Sequence, residues 1–198
     1  MCTKKPDYLL LINEDHRLPE GFEDTIELVT VENAAGDRYQ VEKKTYEAFL
    51  RLREDLLQND GIQTELISVY RTIPQQEATF ARYREKYGLD YANTYVAKPG
   101  CSEHHTGMAI DVGVMQEGKL CRANRELTAM EQQFAAIQAK LPRYGFILRY
   151  PKGKEPITRI GYECWHFRYI DSPEIAEEIT RQGLCFEEYW DKRRGDEA

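Results

Sequence analysis

The chain has 198 residues and a formal net charge of −7, which argues against nucleic acid as its main partner, because phosphate recognition needs a basic face. Hydrophobic residues make up 41% and charged residues 31% of the chain, the balance of a globular domain with its own core. No stretch approaches the ~20 apolar residues that span a bilayer, so the chain as given reads as cytoplasmic. The alternative is the cell envelope, if an export segment has been removed ahead of Cys2. Five cysteines, Cys2, Cys101, Cys121, Cys164 and Cys185, lack CxxC spacing and read as reduced thiols rather than a disulfide framework.

In chain order, Tyr8 to Asn13 reads as a short strand, and Ile26 to Val41 as a hairpin about Ala34-Ala35-Gly36-Asp37. Lys43 to Gln58 follows helical periodicity, with Tyr46, Phe49, Leu50, Leu52, Leu56 and Leu57 largely on one side, and Asn59-Asp60-Gly61 stops it. Glu65 to Arg71 reads as a buried strand. Pro74 opens a helix that Gly88 ends, and residues 89–101 read as a connecting segment. Met108 to Met115 reads as a strand, followed by a polar turn over residues 116–119. Leu127 to Leu141 has the pattern of one amphipathic helix. Phe146 to Tyr150 and Trp165 to Ile170 read as strands. Ser172-Pro173 has the N-cap and first-turn chemistry of a helix start, and two short helices end the chain. Strands and helices mix without regular alternation, which favours an α+β class. A single domain over 1–198 is expected, with its core at about 8–171 and C-terminal helices at 172–194.

Two short segments carry the chemistry. Ser102 to Asp111 contains His104 and, seven residues on, Asp111; Glu163-Cys164-Trp165-His166 contains a second histidine with a glutamate three residues before it. His104, Asp111 and His166 make three good zinc ligands, and three protein ligands leave a fourth position for water, as in catalytic zinc sites. Glu163, kept off the metal on the loop entering a strand, is placed to act as a general base. Trp165 is expected to point away from the metal and pack beneath it. Small residues at Gly107 and Ala109 are read as letting the backbone pass close to the metal. His105 is expected to project elsewhere, and His16 to be solvent-exposed. Arg71, at the end of a strand, suits a carboxylate or a developing oxyanion, with a surface salt bridge as the competing reading. Gln76 follows in the next helix, and Ser102 either meets substrate or caps its loop. Lys152, Lys154 and Arg159 read as a solvated loop.

These residues resemble the VanY/VanXY branch of the D-Ala-D-Ala carboxypeptidases, within the zinc peptidases that also include lysostaphin-type enzymes and the hedgehog signalling domain. Ser102, His104, Gly107, Ala109 and Asp111 match SxHxxGxAxD in full. Glu163, Trp165 and His166 match ExWH, and Ser68, Tyr70, Arg71, Thr72 and Gln76 match the upstream Arg segment. Residues 91–100 also resemble the lead-in to the zinc motif, so the likeness runs from about Tyr8 to Asp171. It implies a hedgehog/D,D-peptidase-like fold, a small mostly antiparallel sheet flanked by helices. It implies one Zn2+ per chain on His104, Asp111 and His166, with Glu163 as base. Arg71 would stabilise the tetrahedral intermediate or hold the terminal carboxylate, and Gln76 and Ser102 would contact that carboxylate. Val69 stands where the family often has glycine. Residues 149–162 are expected to form a loop over the cleft.

The activity so implied is removal of the C-terminal D-Ala from D-Ala-ended peptidoglycan peptides. An L,D-carboxypeptidase trimming tetrapeptides is the nearest alternative, and a non-catalytic zinc-stabilised binding module is the alternative from another class. Oligomeric state stays open.

Overall fold

The computed structural model describes residues 5–196; Cys2 lies outside the described residues. Residues 5–12 are irregular, with a turn at Tyr8–Leu9, and Leu11 and Ile12 are buried. The strand expected at Tyr8 to Asn13 does not form. The carbonyls of Tyr8 and Leu10 instead accept hydrogen bonds from Arg168 Nη2, at 3.1 and 3.0 Å. A buried guanidinium takes the place of a neighbouring strand.

The expected hairpin is present as β1 (Leu28–Glu32) and β2 (Arg38–Glu42), antiparallel with Val29 opposite Val41. The chain turns directly into α1 (Lys43–Asp60), because the Glu42 carboxylate caps it by accepting from the backbone N–H groups of Lys44 and Thr45. Its buried face is Thr45, Ala48, Phe49, Leu52 and Leu56. Leu50 and Leu57, read from the sequence as part of that face, are 40% and 43% exposed; they lie around the helix from the Phe49–Leu52–Leu56 stripe. Gly61 ends α1 at φ +67°, where a residue without Cβ carries no steric penalty.

The main sheet is wholly antiparallel, in the order β3-β4-β7-β6, with β5 paired to the end of β4 on the edge opposite β3. Its strands are β3 (Thr64–Ser68), β4 (Ala109–Gln116), β5 (Lys119–Cys121), β6 (Phe146–Leu148) and β7 (His166–Tyr169). The strand expected over Glu65 to Arg71 stops at Ser68. A bulge between Leu66 and Ser68 breaks its register opposite Asp111. Beyond it the chain turns off the sheet: Tyr70 N–H donates to Gln40 O and Arg71 N–H to His104 O. Bulges bend a strand and re-aim its side chains, and this one delivers Arg71 to the site described below.

Thr72 and Gln75 form a reciprocal cap at the start of α2 (Ile73–Tyr87), with Pro74 in its first turn. The segment after Gly88, expected to be a connection, holds α3 (Leu89–Tyr95). Tyrosines at i, i+4 spacing on both helices, Tyr83 and Tyr87 against Tyr91 and Tyr95, pack the two together. The helix expected from Leu127 to Leu141 is split into α4 (Asn124–Thr128) and α5 (Glu131–Lys140), because Met130 leaves helical geometry at φ −93°, ψ 49°. Leu127, Met130, Phe134 and Ile137 remain buried across the break, so the apolar stripe that suggested one helix serves two.

One face of the sheet meets α1 and α5 around Phe49, Leu52, Phe134, Phe146 and Phe167. A second cluster joins Leu11, Ile147 and Ile170 to the C-terminal helices α7 (Pro173–Gln182) and α8 (Phe186–Asp196). A short helix, α6 (Glu155–Thr158), lies in the loop between β6 and β7. Cys101, Cys121, Cys164 and Cys185 are buried free thiols. Among the described residues, no helix is long and apolar enough to cross a membrane.

Candidate active site

The β4–β7 ladder places Asp111 directly opposite His166. In an antiparallel pair, opposed residues project to the same side of the sheet. His166 Nδ1 lies 2.9 Å from Asp111 Oδ1. His104 arrives from a 3-10 turn, Glu103–Thr106, with Nε2 3.3 Å from Asp111 Oδ2. The ligating atoms of these three residues all fall within 4.8 Å of one another. The two imidazoles meet edge to face, their centroids 4.9 Å apart. His104 is oriented from behind: Nδ1 donates to Val69 O over 2.6 Å, which leaves Nε2 free to bind. Val69 therefore contributes a backbone carbonyl at a position where its own side chain is buried in the core.

Gly107 ends the 3-10 turn at φ +68°, and a Cβ there would come within 3.0 Å of both Glu42 N and a Leu28 methyl. The sequence suggested that Gly107 makes room for the metal. Its role is different: it lets the turn reverse tightly against the β1–β2 hairpin, where Glu42 N–H donates to Gly107 O. Gly107→Ala should therefore cost more than about 1 kcal/mol, read as a lower thermal midpoint.

Glu163 sits in the turn entering β7, with Oε2 3.7 Å from His166 Nδ1. Its side chain is buried against the cleft wall. Burial, reinforced by Asp111 and opposed by His166 and Arg71, pushes its carboxyl up to about 8. This is the balance before the charge of a bound cation is counted, which would favour the ionised form. Burial brings His104 down to about 4, with Arg71 acting the same way. For His166 burial is outweighed by Asp111 and Glu103, and the imidazole rises to about 9.

The cleft above these residues encloses about 260 Å³ and is lined by Arg71, Gln76, Ser102, Tyr150 and Trp165 among others. Arg71 makes no salt bridge among the described residues, so the surface-pair reading is set aside, and its buried Nε has no hydrogen-bond partner. Gln76 donates from Nε2 to Ala97 O at 2.6 Å, while its buried Oε1 has no partner. Ser102 Oγ accepts from His104 N–H at 3.4 Å, capping the loop with its own O–H left to donate. Trp165 is in the core, as expected, but also lines the cleft.

His105 projects away from the three ligands. Its Nδ1 donates to Arg71 O and its Nε2 accepts from Gly100 N–H, so it tethers the backbone on either side of the site. His16 is half-buried rather than exposed, held by Asn13 and packed edge-on against Trp190. The loop over residues 149–162 contributes Tyr150 and Ile160 to the cleft wall. Its basic residues are engaged elsewhere, Lys154 with Glu188 and Arg159 with Asp15, each at 2.7 Å.

Sequence reasoning missed one group altogether. Glu103, Arg149 and Arg168 are fully buried next to the site, and Glu187 joins them from α8. The signal was present: Arg149 directly follows the apolar strand Phe146–Leu148 and Arg168 stands between Phe167 and Tyr169, and an arginine is almost never fully buried unless it is paired.

The donor set fits a zinc ion. Two imidazoles and one carboxylate converge from a turn and two paired strands, with the second nitrogen of His104 occupied by a backbone carbonyl.

A family model described as VanY, D-alanyl-D-alanine carboxypeptidase, matches residues 38–172. The chain is 38% identical over 143 residues to the bifunctional D-Ala-D-Ala dipeptidase and D-Ala-D-Ala carboxypeptidase VanXYC of Enterococcus gallinarum, covering 70% of this chain and 73% of that protein. It superposes with TM-score 0.72 on a glutamate-to-alanine mutant of the vancomycin resistance D,D-pentapeptidase VanY in complex with Zn(II), at 29% identity over 92% of this chain and 98% of the other. It also superposes with TM-score 0.78 on the LdcB LD-carboxypeptidase, at 32% identity over 94% and 87% of the two chains. The likeness extends from the ligand motifs through the sheet and flanking helices, and the chain belongs to the VanY D-alanyl-D-alanine carboxypeptidase family.

Proposed function

We propose that the protein is a zinc D,D-carboxypeptidase that hydrolyses the C-terminal D-Ala from peptidoglycan stem peptides or their precursors. His104, Asp111 and His166 hold one Zn2+, which supplies Lewis-acid polarisation and lowers the pKa of water at the site. Glu163 Oε2 takes the proton of the attacking water and returns it to the nitrogen of the departing D-Ala. Arg71 donates to the oxygen on which negative charge develops. Ser102 O–H and the remaining Nε2 hydrogen of Gln76 are donors for the terminal carboxylate. Gln76 Oε1, which lacks a partner, is an acceptor and suits a substrate N–H instead.

The observation that carries this reading is the position of Glu163. A buried carboxylate beside the three ligand side chains, facing a cleft that also holds the unpartnered Arg71 Nε, has no use in a zinc-stabilised binding module. An L,D-carboxypeptidase would share every one of these groups, and the likeness to LdcB favours it as the second reading. The two differ in the stereocentre before the scissile bond, which the cleft wall must read.

D-Ala release from a defined pentapeptide, a tetrapeptide and the free dipeptide separates the readings. Release from the pentapeptide, abolished by chelation and restored by zinc, is the expected result. Release from the tetrapeptide alone would overturn D,D specificity in favour of the L,D reading.

A further inference from the structure

Beneath the site lies a closed group of buried charges. Arg149 donates from Nε to Glu103 Oε1 at 2.8 Å, and from Nη1 and Nη2 to the two carboxylate oxygens of Glu187 at 2.9 and 2.7 Å. Arg168 Nη1 lies 3.1 Å from the same Glu103 oxygen. Two guanidinium groups and two carboxylates sum to no net charge. Burying such a set is costly, and well-packed apolar side chains would fill the same space, so its retention asks for a reason.

Glu103 supplies one. Its Oε1 serves the arginines, whereas its Oε2 is buried and has no hydrogen-bond partner among the described residues. His166 Nε2, on the side of the ring turned away from Asp111, is likewise buried and without a partner. These two atoms are 3.9 Å apart. That is about 1 Å beyond a hydrogen bond, and both side chains are held from their other ends. Buried donors and acceptors are nearly always paired, and here each is the complement the other lacks.

We infer that Glu103 is a positioning residue for the metal centre: its Oε2 accepts the Nε2 proton of His166, which fixes the ring with Nδ1 toward Asp111. Arg149 holds Glu103 in place and is itself held by Glu187, so α8 is connected to the site through three side chains. Carboxylates behind metal-binding histidines set both ring orientation and ligand basicity. The inference rests on His166 being a metal ligand, as proposed above.

The test compares Glu103→Gln with Glu187→Gln. Both remove one carboxylate from the buried charge group, but only the first touches His166. Zinc affinity is read by chelator competition, without substrate, beside the thermal midpoint of each metal-free protein. Glu103→Gln should weaken zinc binding about 10- to 100-fold. Glu187→Gln should lower the midpoint but leave zinc affinity within about threefold of the parent, because it removes no partner of a ligand. Equal losses of zinc affinity in the two variants, or none in Glu103→Gln, would overturn the assignment.

A measurement on the unaltered protein covers the case in which Glu103→Gln does not fold. In a 15N-edited spectrum of the zinc-loaded chain, His166 Nε2 should carry a proton protected from solvent exchange. An unprotonated or freely exchanging Nε2 would refute the contact. A parent chain that binds no zinc would overturn the metal site as well, a result distinct from either variant outcome.

Discussion

A Glu163→Ala variant should retain zinc and release D-Ala from a pentapeptide about 100- to 10,000-fold more slowly than the parent. Zinc is retained because the proposed ligand set does not include Glu163, whose Oε2 lies 3.7 Å from His166 Nδ1. The fold should also tolerate the change. At that distance Glu163 Oε2 is beyond hydrogen-bond reach of the ring, so removing it takes no hydrogen bond from His166. The loss should lie in kcat, since Glu163 acts on protons that move only during the reaction. Metal content by elemental analysis, with steady-state D-Ala release, checks both halves. Near-parental turnover by the alanine variant would mean that another group moves the proton.

Arg71→Ala should lower kcat about 100- to 1,000-fold, the range found when a donor to a developing oxyanion is removed. Its buried Nε has no hydrogen-bond partner among the described residues, and its guanidinium lies in the field of Asp111 and Glu163, close to the proposed reacting groups. Arg71→Lys should rescue little, because an ammonium presents neither the planar fork nor the Nε donor. The division between kcat and KM decides the role. A fall in kcat with little change in KM fits oxyanion stabilisation, whereas a rise in KM alone would place Arg71 on the terminal carboxylate.

The three proposed ligands and Glu163 were legible in the sequence because they fall in two short motifs with fixed spacing, and the structure brings them together. The strand carrying Asp111 was legible for a related reason: Ala109–Gln116 is a nearly continuous apolar run, whereas His166–Tyr169, buried throughout, alternates polar and aromatic residues. What escaped depends on partners distant in sequence. Nothing local to Tyr8 or Leu10 says that their carbonyls are taken by Arg168. The periodic stripe that reads as one amphipathic helix over Leu127 to Leu141 is buried, but says nothing of the break at Met130. The α3 helix was hidden because Tyr91 and Tyr95 only find their packing surface once α2 is in place. Glu103 sits inside a recognised motif, yet its partners are 46 residues away at Arg149 and 65 away at Arg168.

Because Asp111 and His166 are opposed across one ladder, the alignment of two strands doubles as the calibration of the catalytic machinery. A slip of a single step along β7 would turn its entire set of side chains over. It would sink His166 below the sheet and raise a phenylalanine or tryptophan in its stead. An error in strand pairing during assembly would thus be felt first as a chain unable to capture its cofactor, so the ion, once bound, acts as a proofreader of the topology that built its cage.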